Sequence, residues 1–402
     1  MTTKPKTVPE LRFPEFEGEW KKAPLGEIAD IKLGKMLDKE KQTSGHLLPY
    51  LNNISLRWNE VNTSNLPRMY FRDNELDRFG LRAGDVVVCE GGEPGRSALW
   101  DGRLPDLKFQ KAIHRVRFNV PFEQRLLVLY LEKIAGTTKF EMLFTGGGIK
   151  HLTRETFSLL QIPMISLPEQ RKIAEFLTAV DGRIGQLSQK KALLEDYKKG
   201  VMQQLFTQAL RFKDDHGNDF PKWEEKTLGD AVIVNPKTSD LPDSFIYIDL
   251  ESVNAGVLHS PRRISKVDAP SRAQRLLKRG DILYQTVRPY QMNNYLFDLE
   301  GVHVASTGYA QLRASKTDAR FIYHSLHLPR FVGDVMDRCT GTSYPAINSK
   351  DLTQIAISIP SLPEQTKIAN FLTALDRKIE SVSQQITHTQ AFKKGLLQQM
   401  FV

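Results

Sequence analysis

The side chains best suited to recognition chemistry lie in one short loop at residues 288–294, which reads RPYQMNN. Arginine can donate two hydrogen bonds to the edge of guanine, and asparagine or glutamine can bind adenine in the same way. A loop that combines these residue types is therefore a candidate for reading base edges in DNA. The candidates within it are Arg288, Tyr290, Gln291, Asn293 and Asn294. A single arginine or lysine on a surface is more commonly just solvated, so the prediction depends on the combination.

Basic and aromatic residues in other loops extend this candidate set. A lysine follows a strand-like run at equivalent places in the two halves of the chain, and further basic residues occur where the first half should build a matching surface. These candidates are Lys35, Arg96, Lys108, Lys111, Lys150, Arg154, Lys237 and Tyr344. The formal net charge of +9 favours a polyanionic partner, although the basic residues are spread along the chain and not gathered in a tail.

The sequence contains none of the common catalytic motifs. It has no phosphate-binding GxxxxGK[ST] loop, no HExxH zinc motif and no GxSxG nucleophile motif. The glycine run at residues 146–148 does not match a dinucleotide fingerprint and fits a surface loop better. Cys89 and Cys339 form no CxxC pair, which predicts neither a disulfide framework nor a zinc site and is typical of a reducing cytosol. We therefore expect no active site, no metal and no cofactor in this chain.

Two copies of one segment must position these loops. Residues 167–206 and 362–401 align at a constant offset of 195 residues, with 21 of 40 positions identical. Each copy begins with Leu-Pro-Glu-Gln and has no later proline, which predicts one long helix per copy. Apolar residues recur with 4-3 spacing, the pattern of helices that pair with another helix. A helix of this length would measure about 60 Å, which suits a spacer better than a domain core.

The expected partner-helix interface consists of apolar residues at the start of each seam. These residues are Ile173, Leu177, Val180, Ile184 and Leu187 in the first copy, and Ile368, Leu372, Leu375, Ile379 and Val382 in the second. Lys198 and Lys393 occupy equivalent seam positions further along. We expect the helices to splay there so that the lysines reach water, in preference to a burial that would fix the helix register. Gly200 and Gly395 also recur, which suggests a close helix approach or a bend.

The duplication extends to the segments that precede the helices. A Leu-Gly-acidic motif at 25–27 and 228–230 and a Gly-Asp turn at 84–85 and 280–281 occur in the same order in both halves. Both aspartates fit a turn role better than a nuclease role. Short strands, Gly/Pro turns and few helices, predicted at 122–134 and 318–337, indicate an α+β fold with mainly antiparallel pairing. The frame repeats while the loops differ, as expected if one geometry reads two different targets.

The doubled LPEQxKIAxFLTAxD helix, the Leu-Gly-acidic motif and the Gly-Asp turn together resemble the specificity subunits of type I restriction–modification systems, over essentially the whole chain. The resemblance implies two homologous target recognition domains, at residues 1–165 and 208–360, followed by spacer helices at 166–207 and 361–402. It implies that the helices pair as an antiparallel coiled coil with pseudo-twofold symmetry. Each domain would read one half of an asymmetric, bipartite DNA sequence, and the helices would set the gap.

The resemblance also implies partners. Besides double-stranded DNA, these would be two modification subunits that methylate adenine and are docked by the helices, together with restriction subunits. S-adenosylmethionine, ATP and Mg would bind to those partner subunits. We expect a cytoplasmic, nucleoid-associated complex in a bacterium or archaeon and no membrane partner, since no apolar run is long enough to span a bilayer. The residues alone leave two other interpretations open: a stand-alone DNA-binding or regulatory protein, and a coiled-coil scaffold that binds no DNA.

Overall fold

The computed structural model describes residues 7–37, 44–238, 240–259 and 261–402. The chain divides into two compact units. Unit 1 consists of Met1–Ser188 and Gln384–Val402, and unit 2 consists of Gln189–Ser383. Each unit therefore combines one globular domain with a piece of both long helices, which span Leu167–Phe206 and Leu362–Met400.

Unit 1 is built around a four-stranded antiparallel sheet, with strands in the order Ala29–Leu33, Ile113–Phe118, Val86–Cys89 and Ser97–Leu99. A three-stranded sheet places His46–Leu51 between Arg68–Phe71 and Lys108–Phe109. Two further pairings join Lys21–Pro24 to Gln161–Met164 and Leu56–Arg57 to Glu60–Val61. The short helices of this unit are Leu25–Ile28, Asp73–Leu76, Gln124–Ile134, Thr138–Glu141 and Arg154–Ser158.

Unit 2 has the same plan with a larger second sheet. Its first four-stranded sheet has the order Val232–Val234, Tyr309–Ala314, Asp281–Gln285 and Tyr295–Leu296, and its second has the order Arg262–Ser265, Ser244–Ile248, His303–Ser306 and Ala273–Leu276. Glu224–Thr227 pairs with Ala356–Ile359, and Val253–Asn254 with Val257–Leu258. The short helices are Leu228–Ala231, Ala319–Ser325, Pro329–Asp337 and Ser349–Thr353, with a 3-10 turn at Pro289–Gln291.

The predicted α+β class with mainly antiparallel pairing is confirmed. Among the strands of the described residues, one pair in each unit is parallel: His46–Leu51 with Lys108–Phe109, and Ser244–Ile248 with His303–Ser306. The single helix predicted at 318–337 is wrong, because the chain breaks it into two helices and starts the second at Pro329. Proline lacks an amide hydrogen and is tolerated only in the first turn of a helix.

The Gly-Asp turns act as structural anchors, as predicted. In unit 1, Asp85 accepts a hydrogen bond from the backbone N–H of Arg82 at 2.8 Å and two from the Arg117 guanidinium at 2.7 Å each. In unit 2, Asp281 binds Arg313 in the same way, with two hydrogen bonds of 2.7 Å. These bonds raise the pKa of both arginines above its usual value. Both aspartates are buried, so their carboxylates tie the turn to the neighbouring strand and are closed to solvent.

The two long helices pack antiparallel within each unit. In unit 1, Ile173 and Leu177 share a hydrophobic core with the segment 396–401, while Asp181 pairs with Lys393. The equivalent arrangement in unit 2 places Ile368 and Leu372 in one core with Val201 and Leu205, and Asp376 pairs with Lys198. The same cores contain strand and helix residues of the globular domains. The start of each seam is thus part of a domain core as well as a helix contact.

The remaining residues of the predicted seams are less uniform. Val180 and Leu375 pack at the edges of the two cores. Leu187 and Val382 are buried, whereas Ile184 and Ile379 are half-buried.

No helix in the described part of the chain is long and apolar enough to cross a membrane.

Lys393 corrects the expectation that the seam lysines reach water. Its side chain is only 6% exposed, and its ammonium lies 2.6 Å from Glu132 Oε1 and 2.7 Å from Asp181 Oδ1. Lys198 is half-buried and lies 2.5 Å from Asp376 Oδ1. A buried ammonium needs a carboxylate partner, and the domains and helices supply these. Of the two alternatives predicted for Gly200 and Gly395, a close helix approach or a bend, the close approach is wrong within the described residues, since a Cβ added at either glycine would meet no atom within 4 Å.

Candidate nucleic-acid interface

Two loops of unit 2 form one backbone-bonded surface, which we call loop pair 2 (residues 286–294 and 340–346). The second loop is closed by hydrogen bonds between Thr340 and Ala346, 2.9 and 3.0 Å long. The first loop is fastened to it because the Arg288 N–H donates to Pro345 O at 2.7 Å, and the Ile347 N–H donates to Thr286 O at 3.0 Å. Direct backbone bonds between two loops hold the backbone positions from which their side chains project.

The two most prominent side chains of loop pair 2 touch each other. The Arg288 guanidinium lies over the Tyr344 ring, 4.3 Å from its centroid, and the tyrosine is 65% exposed. Arg288 adopts φ = +53°, a left-handed conformation that is uncommon for a residue other than glycine and that costs energy. The loop therefore presents a strained arginine stacked on an exposed aromatic ring.

The other predicted residues of this loop divide between surface and scaffold. Tyr290 is 49% exposed, and Gln291 is exposed while its Oε1 accepts a hydrogen bond from Gln285 at 2.9 Å. The Asn293 side chain accepts from the backbone N–H of Ala255 at 2.9 Å. Its neighbour Asn294 is buried and caps the backbone N–H of Gln285 at 2.9 Å. The structure thus brings together Arg288, Tyr290, Gln291 and Tyr344, while the two asparagines shape the loop.

Unit 1 contains the same pair of loops, which we call loop pair 1 (residues 90–96 and 145–151). Thr145 and His151 exchange two backbone hydrogen bonds of 2.8 Å, and the Leu152 N–H donates to Glu90 O at 2.8 Å. By this pattern, Gly92, with φ = +83°, occupies the place of Arg288, and Ile149 occupies the place of Tyr344. The frame is conserved between the units, whereas the side chains it presents are different.

The predicted residues of unit 1 lie on and around loop pair 1. Arg96 is held inside it by Glu93 at 2.7 Å and by Asn53 O at 2.6 Å. Lys150 is exposed and pairs with Glu141 at 2.9 Å, and the exposed Arg154 lies 3.6 Å from Glu155. Lys111 in unit 1 and Lys237 in unit 2 are exposed. Exposed ammonium and guanidinium groups of this kind suit phosphate contacts.

Three of the residues predicted to contact DNA, Lys35, Lys108 and Asn294, have side chains that are largely or fully buried. Lys35 lies 2.5 Å from Glu75 Oε2 and over the Phe71 ring, with a side chain that is 17% exposed. Lys108 is buried, with Asp106 as its nearest carboxylate at 3.9 Å. Asn294 is closed off in the same way. Lys35 is bonded to Glu75 and Asn294 to the backbone of Gln285, and Lys108 is almost fully buried, so none of these three side chains presents its polar group at the surface.

The sequence reasoning missed Ile149 and the pair formed by Glu90 and His151. Ile149 is 70% exposed on the tip of its loop, and His151 Nδ1 lies 3.3 Å from Glu90 Oε1. The signal for Ile149 was present, since it stands 195 residues before Tyr344. Within the described ranges, no group of three or more histidine, cysteine or acidic residues could hold a metal ion.

A family model and the similar proteins of known name all belong to one family. A model of the type I restriction modification DNA specificity domain matches residues 17–196 and again residues 221–388. The chain is 26% identical over 416 residues to the specificity subunit of the type I restriction enzyme MjaVIII of Methanocaldococcus jannaschii, covering 96% of this chain and 92% of that protein. It is 29% identical over 194 residues to the HindI specificity subunit of Haemophilus influenzae, covering 45% and 41%.

Solved structures show the same fold. The S subunit of a type I restriction-modification system from M. genitalium aligns with a TM-score of 0.62 and 19% identity, covering 98% of this chain and 99% of that chain. A chain from work on complex assembly and conformational transition of the type I R-M system aligns with a TM-score of 0.55 and 16% identity, covering 94% and 96%.

Proposed function

The chain belongs to the type I restriction–modification DNA specificity family, and from this membership we propose how it selects DNA. It is a specificity subunit with two recognition domains. Each recognition domain reads one half of a bipartite DNA target through its loop pair. Because the two loop pairs present different side chains, the two half-sites differ and the complete target is asymmetric.

The observation that carries this proposal is the contrast between the two loop pairs. Their backbones are held by equivalent hydrogen bonds, yet one presents Arg288 and Tyr344 where the other has Gly92 and Ile149. Direct readout depends on donors, acceptors and apolar groups aimed at base edges. A repeated frame with changed side chains supports two readers of different sequences.

Exposed basic residues around the loops add the part of the affinity that does not depend on sequence. Lys111, Lys150, Arg154 and Lys237 all lie at the surface. Contacts between such residues and phosphates fix the position of a protein on a duplex and make the affinity fall with salt.

The long helices complete the proposal. We assign the recognition domains to residues 1–165 and 208–360, and the spacer helices to 166–207 and 361–402. The helices set the gap between half-sites and bind two modification subunits, and restriction subunits join the same complex. Adenine methylation and DNA cleavage take place on those partners, with S-adenosylmethionine, ATP and Mg bound there, so this chain contributes recognition and no catalysis. We place the complex in the cytoplasm of a bacterium or archaeon.

Methylome sequencing tests the proposal most directly. The chain is expressed with its modification subunit in a host that lacks adenine methylation, and modified adenines are mapped across the genome. We expect one asymmetric bipartite motif. Replacing residues 1–165 with the matching domain of a relative should change one half of the motif and leave the other half and the gap intact. An unchanged motif after this exchange contradicts the assignment of the recognition domains.

The two alternative functions give different results in the same strains. A stand-alone DNA-binding protein predicts tight, specific binding by the isolated chain and no adenine methylation when the modification subunit is present. A coiled-coil scaffold predicts no salt-dependent binding to DNA at all. Family membership and the surface side chains of the loop pairs favour the specificity function over both.

A further inference from the structure

The Arg288 guanidinium lies against an aromatic ring but forms no pair with a carboxylate in the described part of the chain. Arg12, Arg117, Arg211 and Arg313 each form two hydrogen bonds to one carboxylate. In the part of the chain that the structure describes, the Arg288 side chain makes no hydrogen bond and no ion pair. It makes a cation–π contact with the Tyr344 ring. Its five N–H donors are therefore available to a ligand.

The stack on Tyr344 decides which ligand geometry fits. The guanidinium carbon lies 4.3 Å from the centroid of the Tyr344 ring, so the ring limits the positions that the guanidinium can adopt. An arginine held in this way offers two parallel N–H groups in a fixed fork. In DNA, the fork matches the O6 and N7 acceptors of guanine in the major groove.

The backbone holds this arrangement at an energetic cost. Arg288 remains at φ = +53° because its N–H is bonded to Pro345 O at 2.7 Å and the next three residues form a 3-10 turn. The equivalent position in unit 1 is a glycine, which adopts the same region without strain. A strained residue kept in place by surrounding bonds is typical of a functional position.

We propose that Arg288, oriented by Tyr344, reads one guanine in the half-site bound by unit 2. This inference rests on the proposed function and adds a base identity to it. Unit 1 has Gly92 and Ile149 at the two places, so its half-site lacks this contact. A phosphate contact is the competing role, but a phosphate is equally well served by a mobile lysine and does not require a stacked, planar group.

The test uses the complex of this chain with its modification subunits and a DNA duplex that carries the mapped target. Each guanine is replaced in turn by 7-deazaguanine, which lacks the N7 acceptor, or by 2-aminopurine, which lacks O6. We expect a loss of about 5- to 150-fold in affinity at one guanine of the unit 2 half-site. In the Arg288→Ala complex, the same replacements should cause no further loss at that guanine and unchanged losses elsewhere.

Three further variants separate reading from charge and folding. Arg288→Lys keeps the charge without the fork and should lose the discrimination at that guanine. Tyr344→Ala should weaken the discrimination, and Tyr344→Phe, which keeps the ring, should restore it. Arg279→Ala removes an exposed arginine of the same unit that is paired with Asp298, and it should leave the discrimination intact. Equal urea midpoints for all variants show that none acts through unfolding.

Two results would overturn the inference. One is a uniform loss for Arg288→Ala across all bases, with a salt slope reduced by about one unit, which identifies a phosphate contact. The other is coupling to a guanine in the half-site that changes when residues 1–165 are exchanged. A wild-type complex with no sequence preference would instead contradict the proposed function itself, so the two failures are distinguishable.

Discussion

Lys393 and Asp181 form an ion pair of 2.7 Å in unit 1, and the equivalent pair in unit 2 joins Lys198 to Asp376 at 2.5 Å. In unit 1 the aspartate lies on the first long helix and the lysine on the second, whereas in unit 2 this arrangement is reversed. Each of the two residues lies 195 positions from its counterpart. The third member differs, because Glu132 binds Lys393, whereas His327 stands at the equivalent position in unit 2. The repeated pairs fix the helix register within each unit in the manner of buried polar residues in coiled coils.

Replacing Lys393 with methionine should destabilise unit 1 strongly. The change leaves Glu132 and Asp181 close together without their shared cation, and removing one partner of a buried ion pair costs about 3–5 kcal/mol. Lys198→Met should cost only about 1 kcal/mol, because its partner Asp376 is 40% exposed. Urea unfolding measures both values.

A neutralised triple variant provides the control for that experiment. Combining Lys393→Met with Glu132→Gln and Asp181→Asn removes the uncompensated charges and should recover part of the lost stability. If the triple variant is no more stable than Lys393→Met, the loss comes from packing and not from charge.

Stability should fall in acid through His324 of unit 2. Burial lowers the pKa of His324 to about 3, and the neighbouring cations Lys198 and Arg320 and the ring of His327 act in the same direction. Asp376, 3.9 Å away, is already bonded to Lys198. In the unfolded chain the pKa returns to about 6.5.

The sign of this effect follows from the lowered pKa. As the pH falls below about 6.5, the unfolded chain binds a proton that the folded chain does not bind, so stability is lost at about 1.4 kcal/mol per pH unit, or about 2 kcal/mol between pH 6.5 and 5. His324→Leu, which copies Leu129 of unit 1, should remove this contribution. Urea midpoints at pH 7.5 and 5.0 measure it, and an equal acid loss in wild type and variant would contradict the assignment.

Lengthening both helices should change the gap in the DNA target and not its bases. Four residues inserted after Lys190 and four after Gln385, which are equivalent exposed positions, add about 6 Å of helix. That length corresponds to about 2 base pairs. Methylome sequencing should show the same half-sites at a longer spacing, whereas new half-site bases would argue against a spacer role.

The exposed aromatic–glycine pair on each long helix can be mutated to test whether this surface binds a partner. Tyr197 with Gly200 and Phe392 with Gly395 are equivalent pairs spaced three residues apart, and both aromatic rings are exposed. Changing both glycines to alanine should stabilise the chain by about 1 kcal/mol per site. If a modification subunit packs against the open surface beside Gly200 and Gly395, the same variant should bind that subunit more weakly.

Pull-down and urea unfolding on the same preparations separate the two effects. Leu159→Ala, an exposed residue outside the helices, serves as the matched control and should retain binding. A glycine variant that is more stable and binds its partner normally would remove this surface from the proposed interface.

The long helices and the sheet class could be predicted from the sequence because their signals are local. Four-three spacing and an initial Leu-Pro-Glu-Gln define the helices, and Gly-Asp before a β-branched run defines a turn into a strand. The division of each helix between two units could not be predicted, since an apolar residue such as Ile173 suits a helix seam and a domain core equally well.

The candidate site was predicted in outline for a similar reason. Residue types in the loop 288–294 pointed to base recognition, and four of the candidates share one surface. The burial of Lys35, Lys108 and Asn294 depends on partners 40, 2 and 9 residues away, and side-chain type does not reveal whether such partners will be met. The 195-residue offset from Tyr344 marks Ile149 as the matching loop position, but the exposure of an apolar side chain runs against its type and can be seen only in the folded structure.

The division of the chain has a consequence for how the protein folds as it is made. Unit 2 is one continuous stretch, so its core can close as soon as residues 189–383 have left the ribosome. Unit 1 must wait for residues 384–402, because Leu396, Leu397, Met400 and Phe401 belong to its core and Phe401 packs edge-on against Trp20. The domain that is synthesised first is therefore the last to be completed, and until then its open core is exposed to chaperones and proteases.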